Sequence, residues 1–246
     1  SRVFRSLGSL KPDLSKVKFF FFFRKLLDEA DALGIQAMTV STTDHTHAAI
    51  AIPAMKKGIH VYVQKPLVRT LGELEYFEST AKKYGVITQM GNQGSSLEGF
   101  RRGVEVLRSG ILGDVTEVHV WTNRPVWPQG VAAGKVTMGA ADQIPANLNW
   151  DTWLGPAKER NYKHHFPKGS GVYNPWKIAH TVYHPFNWRG FFDFGCGAFG
   201  DMACHTMNLP FRGAELGMPT KAECKMAIEP NDVAYPARSI VEVTYA

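Results

Sequence analysis

The chain has 246 residues, 44% hydrophobic and 20% charged, which excludes a disordered segment and gives material for one large domain or two ordinary ones. Its net charge of +6 is scattered, with Lys56-Lys57, Lys82-Lys83 and Arg101-Arg102 far apart. A nucleic-acid partner is therefore not expected, because such surfaces cluster their cations among stacking aromatics. No apolar run reaches the roughly 20 residues of a membrane span, so no membrane partner is expected either. Three cysteines, Cys196, Cys204 and Cys224, without C-x-x-C spacing, argue against a disulfide framework and a structural metal.

In chain order, Phe19–Phe23 lies between Lys18 and Arg24 and fits a buried strand or the start of a helix. Residues 24–33 read as a helix stopped by Gly34, and Gln36–Ser41 as a buried strand. A helix follows over His47–Lys57, then a strand over His60–Val63 that breaks at Lys65-Pro66. Leu71–Tyr84 carries Leu74, Phe77, Glu78 and Ala81 at helical spacing and stops at Gly85; Val86–Met90 is a third strand, followed by the loop Gly91-Asn92-Gln93-Gly94. This alternation predicts an α/β fold with a parallel sheet, whose ligands bind beyond the carboxyl ends of the strands. Those ends are Ser41–Asp44, Gln64–Pro66 and Gly91–Gln93.

After residue 95 the pattern changes. A helix is expected over Phe100–Ser109 and a strand with one covered face over Val115–Thr122. Residues 125–190 are rich in loops, and all six tryptophans fall between 121 and 188. A helix is expected from Asp201 to about Leu216, with further strands at Lys221–Ile228 and Ser239–Tyr245. Two domains follow, residues 1–94 of nucleotide type and residues 95–246 for substrate.

Five clusters carry possible chemistry. Gly195-Cys-Gly197-Ala-Phe-Gly200 matches G-x-G-x-x-G, but no convincing strand precedes it and Asp201 would put a like charge where a pyrophosphate sits. Its glycines more plausibly let the backbone pass close to a ligand or another strand. Asp201 and His205, one helical turn apart, fit acid–base work on a hydroxyl, or else an N-cap with a satisfied histidine. Adding Cys204 gives three metal donors and no fourth. Lys65 at a strand exit is either a solvated lysine or an ammonium poised to stabilise an alkoxide. Asp44-His45-Thr46-His47 reads as the cap of a helix in preference to a metal pair. The tryptophan-rich stretch packs under loops or, with Asn123, Arg124, Asn187, Arg189 and Asp193, offers stacking faces to a carbohydrate.

Taken together, residues 41–66 (STTDHTHAAIAIPAMKKGIHVYVQKP), 84–94 (YGVITQMGNQG), 107–130 (LRSGILGDVTEVHVWTNRPVWPQG), 150–160 (WDTWLGPAKER) and 195–205 (GCGAFGDMACH) resemble the glucose–fructose oxidoreductase and inositol dehydrogenase (Gfo/Idh/MocA) family. The resemblance covers the chain from about residue 24 onward. It implies a Rossmann domain followed by an α/β domain with an open, mostly antiparallel sheet, and hydride transfer between a sugar, polyol or glycoside carbon and NAD or NADP. It implies Lys65, Asp201 and His205 as catalytic residues and Ser41, Thr42, Thr43, Asp44, His47, Gln64, Lys65 and Asn92 as cofactor residues. Substrate contacts would come from Asn92, Gln93, Asn123, Arg124, Trp127, Trp188 and Arg189, with no metal. The family's Glu-Lys-Pro is Gln64-Lys65-Pro66 here, and its Thr-Pro is Thr42-Thr43. Its glycine-rich loop is not found in residues 1–41, which on this reading makes the sequence a fragment, cut at both ends, without a pyrophosphate cradle. A carbohydrate substrate and a homo-oligomer, dimer or tetramer when complete, are expected. Glycoside cleavage through transient oxidation, or a non-catalytic sugar-binding copy, are the alternatives. Localisation, cytoplasmic or periplasmic, is not readable.

Overall fold

The computed structural model describes residues 15, 17–137, 139–166, 181–183 and 185–246. Two compact units are formed by residues 1–35 and 36–246. In the first, helix α1 (Phe23–Asp28) buries Leu27 and is shorter than the 24–33 periodicity implied. It stops early because Glu29 leaves helical geometry, and tight turns to Gly34 and Ile35 close the segment.

The second unit opens with three parallel strands, β1 (Ala37–Val40), β2 (His60–Gln64) and β3 (Thr88–Gly91), in that spatial order. Val40 pairs with Val63 and Gln64 with Gly91, so the three strands end side by side and their following loops share one edge. Helices α2 (His47–Lys56) and α3 (Leu71–Tyr84) make the crossovers that parallel strands require. The apolar face of α2 (Ala48, Ile50, Ala51, Ile52, Ala54, Met55) is buried with Val40, Val61 and Val63. Helix α3 has the bounds its periodicity predicts because both ends are fixed chemically. Thr70 and Glu73 form a reciprocal capping box, and Gly85 takes the left-handed conformation at the other end.

Further on, α4 (Glu98–Arg108) is followed by an extended stretch where the sequence suggested a strand at Val115–Thr122. Among the described residues that stretch pairs with nothing, and Val115, Val118, Val120 and Trp121 are exposed. Alternation alone does not supply the hydrogen-bonding neighbour that defines a strand. Short helices α5 (Val131–Val136) and α6 (Trp150–Leu154) border an aromatic core of Trp150, Tyr162, Tyr183, Phe191 and Phe194, in which Trp150 stacks on Trp153 at 4.9 Å. Residues 167–180, Trp176 among them, lie outside the described residues.

The helix expected over Asp201–Leu216 is two helices, α7 (Gly197–Thr206) and α8 (Asn208–Gly213). Pro210 explains the break: it has no N–H for the Thr206 carbonyl, and its ring collides with that carbonyl in a continuous helix. The chain ends in an antiparallel ribbon, β4 (Pro219–Ile228) and β5 (Arg238–Tyr245), paired from Pro219–Tyr245 to Ile228–Arg238 and largely exposed.

Candidate active site

The loops leaving β1, β2 and β3 meet the start of α7. Lys65, the first residue after β2, sends its Nζ to Asp201, donating to Oδ1 at 2.8 Å and to the backbone carbonyl at 2.9 Å. Arg189 donates from Nε to the same Oδ1 at 3.3 Å. Its guanidinium lies 4.2 Å from the Trp188 ring centroid and 4.5 Å from that of Phe186, which fixes its plane. Asp201, 7% exposed, is therefore a buried carboxylate held by two cations.

His205 lies one turn after Asp201 on α7 and is half-buried. Among the described residues its ring makes no hydrogen bond, so Asp201 orients Lys65 and Arg189 rather than the imidazole. The i, i+4 spacing does place both on one face, but two cations outcompete the neutral ring for the carboxylate. Burial lowers the His205 pKa, with the charges of Lys65 and Arg124 adding to the effect and Asp201 opposing it.

Asp44 sits behind this pair, 3% exposed, with Oδ2 unpartnered. Burial pushes its pKa up to about 7, against the pull of Arg189. The carboxyl also meets the thiol of Cys196, whose own pKa burial raises. Sequence reasoning did not single out Cys196, since a lone cysteine carries no spacing signal. The expected capping role is not seen: neither Asp44 nor the nearby hydroxyls caps α2, because a turn of 3₁₀ helix over Asp44–Thr46 leads into it. Thr46 instead donates to Thr42 Oγ1 at 2.7 Å and to the Thr43 carbonyl at 2.9 Å.

The two histidines of this turn diverge. His45 turns its Nε2 to the carbonyls of Trp153 and Leu154 at 3.2 and 3.1 Å, and its ring packs edge-on to Phe194. His47, expected at the cofactor, is fully buried, with ring nitrogens facing the carbonyls of Pro66 at 2.8 Å and Thr42 at 3.3 Å. It ties the first strand-end turn to the second. Ser41 and Thr42 are exposed at the same edge, and Thr43 and Gln64 are half-buried. Asn92, after β3, donates from Nδ2 to the Cys204 carbonyl and leaves a buried Oδ1 without a partner. Gln93 is exposed beside it.

Of the expected substrate residues, Asn123 is exposed and Arg124 half-buried. Trp127 and Trp188 are corrected from sugar-stacking faces to packed residues, 2% and 5% exposed. The Trp127 Nε1 donates to Gln129 and its ring meets Phe186, while Arg189 covers Trp188. Rings this large are buried when neighbouring loops supply partners for their N–H groups.

The G-x-G-x-x-G segment serves packing. A Cβ on Gly195 would lie 2.6 Å from Arg189 Cα, and one on Gly197, which has φ +62°, 2.5 Å from the Tyr235 ring. The Ala198 N–H at the start of α7 donates to the Gln129 side chain. One N–H of that helix terminus is thus taken up within the protein.

A family model described as "Oxidoreductase family, NAD-binding Rossmann fold" matches residues 12–92. Over that segment the chain is similar to the Gfo/Idh/MocA family. Residues 36–92 within it are the parallel sheet and strand-end loops described above, which is the expected Rossmann architecture. A curated relative, 2,7-anhydro-N-acetylneuraminate hydratase of Mediterraneibacter gnavus, is 25% identical over 85 residues, covering 35% of this chain and 23% of the relative. The chain thus spans under a quarter of that protein's length. An oxidoreductase domain protein from Kribbella flavida is similar over 84% of this chain and 41% of its own, at 21% identity and a TM-score of 0.49. An inositol dehydrogenase homolog from Azotobacter vinelandii, solved with NADH and myo-inositol, is similar over 46% of this chain and 29% of its own, at 27% identity and a TM-score of 0.39.

The NAD-binding Rossmann fold of the matched model implies a nicotinamide dinucleotide. The strand-end residues fit its nicotinamide–ribose half: Asn92 Oδ1 is a buried acceptor in want of a donor, and Thr42, Gln64 and Lys65 bring polar groups to the same edge. Among the described residues no glycine-rich loop is present for the pyrophosphate. No group of three or more His, Cys, Asp or Glu side chains there is arranged to hold a metal. No described helix is long and apolar enough to cross a membrane.

Proposed function

We propose that this chain is the core of an NAD- or NADP-dependent oxidoreductase that moves a hydride between a hydroxyl-bearing carbon of a sugar, polyol or glycoside and the nicotinamide. On this reading residues 1–94 serve the cofactor and residues 95–246 the substrate. The observation that carries it is the contact of Lys65 with Asp201, which brings the strand-end edge and His205 into one site.

When bound, the nicotinamide accepts or donates the hydride. The chain's own groups handle the proton and the oxygen. His205, its pKa lowered, is neutral near pH 7 and accepts the hydroxyl proton. Lys65 stabilises the oxygen as charge develops on it. Asp201 and Arg189 are positioning residues that hold the ammonium in place. Asn92 and the exposed Ser41 and Thr42 take the ribose and carboxamide, Asn123, Arg124 and Gln93 the substrate, and His47 braces the turn. The substrate is a small carbohydrate. Homo-oligomer formation through the exposed β4–β5 ribbon is part of the same proposal.

Replacing His205 by Asn in the full-length protein should lower kcat by roughly a hundredfold with little change in dinucleotide KM. Wild-type turnover in H205N overturns the assignment. The hydratase named among the similar proteins supports a second reading, in which bound NAD is recycled and a bond is cleaved or hydrated without net oxidation. Product formed with no accumulation of reduced nicotinamide selects that second reading.

A further inference from the structure

The charges around His205 do not balance. Lys65 and Arg189 share the single carboxylate of Asp201. The other nearby carboxyl, Asp44, is buried, and burial raises its pKa to about 7, so it offers less than a full negative charge. A third cation, Arg124, joins this cluster through a chain of ring contacts: Arg189 lies 4.5 Å from the Phe186 ring centroid, Phe186 5.7 Å from Trp127, and Arg124 on Trp127 in turn. Its charge adds to those that disfavour protonation of His205. Arg124 is half-buried, with its guanidinium 6.0 Å from the Trp127 ring centroid. Among the described residues that guanidinium makes no ion pair and no hydrogen bond, and the Arg124 backbone N–H donates to Thr122 Oγ1. Three cations thus face one committed anion. An unpaired cation partly withdrawn from water carries a desolvation cost, which a neutral polyol offsets less than an anion does. A guanidinium fork matches the two oxygens of a carboxylate.

We propose that the substrate of this site carries a carboxylate, bound by Arg124 beside His205, so that the preferred class is sugar acids or their glycosides rather than neutral sugars. This rests on the reading of the His205 site as a substrate pocket and narrows it. The carboxylate would neutralise the surplus charge and hold the ring so that a hydroxyl meets the imidazole. Asn123, exposed next to Arg124, is placed to hydrogen-bond the same ligand.

The test is calorimetric binding to the full-length protein with NADH present. Glucuronate and galacturonate are compared with glucose, galactose and glucose 6-phosphate, and turnover is measured separately. Uronates should bind about 10- to 100-fold more tightly than the parent hexoses. Arg124→Gln should erase that ratio, and Arg124→Lys, which keeps the charge without the fork, should keep part of it. Thermal unfolding of each variant separates loss of the fold from loss of the ligand. Hexoses binding as tightly as uronates, preference for the phosphate, or binding of none of these ligands overturns the carboxylate proposal. If hexoses are nonetheless oxidised, the dehydrogenase reading survives it. Uronates that bind through Arg124 without undergoing oxidation sustain the carboxylate site and sink the dehydrogenase reading.

Discussion

Lys65 and Asp201, separated by 136 positions in sequence, meet at 2.8 Å with side chains 15% and 9% exposed. Breaking a buried pair from one side leaves a stranded charge, and the two sides are not equivalent here. Asp201→Asn leaves Lys65 and Arg189 facing each other and should cost about 3 kcal/mol, whereas Lys65→Met leaves Asp201 with Arg189 and should cost less. Urea titrations of the two variants check the order. Equal costs would mean that Arg189 does not share the carboxylate.

His205 should titrate below its ordinary 6.5, because burial and the cations Lys65 and Arg124 disfavour its charged form. The acid limb of the kcat/KM profile then lies below pH 6.5, and activity extends to lower pH than a free imidazole allows. Lys65→Met removes a like charge, so the His205 imidazole resonances should titrate at higher pH in that variant. A titration at or above 6.5 in the parent protein contradicts the burial argument.

Asp44 and His45 are neighbours shifted in opposite directions, one up from 3.8 to about 7 and the other down from 6.5 to about 4, both chiefly by burial. In the fold both are neutral between pH 4 and 6.5, whereas in the unfolded chain both are charged there. The raised Asp44 gives stability that is complete below 3.8 and is lost as pH rises toward 7. The lowered His45 gives stability that is complete above 6.5 and is lost as pH falls toward 4. Each slope is about 1.4 kcal/mol per pH unit, of opposite sign, so the two cancel in that window. Relative to the parent, Asp44→Asn should gain stability as pH rises from 4 to 6.5, and His45→Gln should lose it. Parallel pH curves for parent and Asp44→Asn would exclude a neutral Asp44.

Gly85 and Gly197 both have φ near +63°, but a Cβ on Gly85 meets nothing within 4 Å while one on Gly197 meets Tyr235 at 2.5 Å. Gly85→Ala should therefore cost only the backbone penalty of about 1 kcal/mol, and Gly197→Ala about 3 kcal/mol or more. Thermal unfolding compares them; similar costs would remove the close-packing explanation of the G-x-G-x-x-G segment.

The alternation of strand and helix over residues 36–91, the bounds of α3, and the placement of Lys65 and Asn92 at strand ends were legible in the sequence. Each follows from local patterns: apolar periodicity, a left-handed glycine stop, and polarity where burial ends. Local order misled where a local signal stood in for a tertiary partner. Val115–Thr122 alternates like a strand and pairs with no strand among the described residues, and Pro210 was enough to divide a helix that periodicity alone ran on to Leu216. Only the folded chain decided which way the site's side chains face. Asp201 turns to Lys65 and Arg189 instead of His205, Trp127 and Trp188 pack inward, and Cys196 meets Asp44. Such choices depend on which charge or ring the fold brings alongside, for Lys65 and Asp44 from more than a hundred residues away, and no periodicity within a segment encodes that arrival.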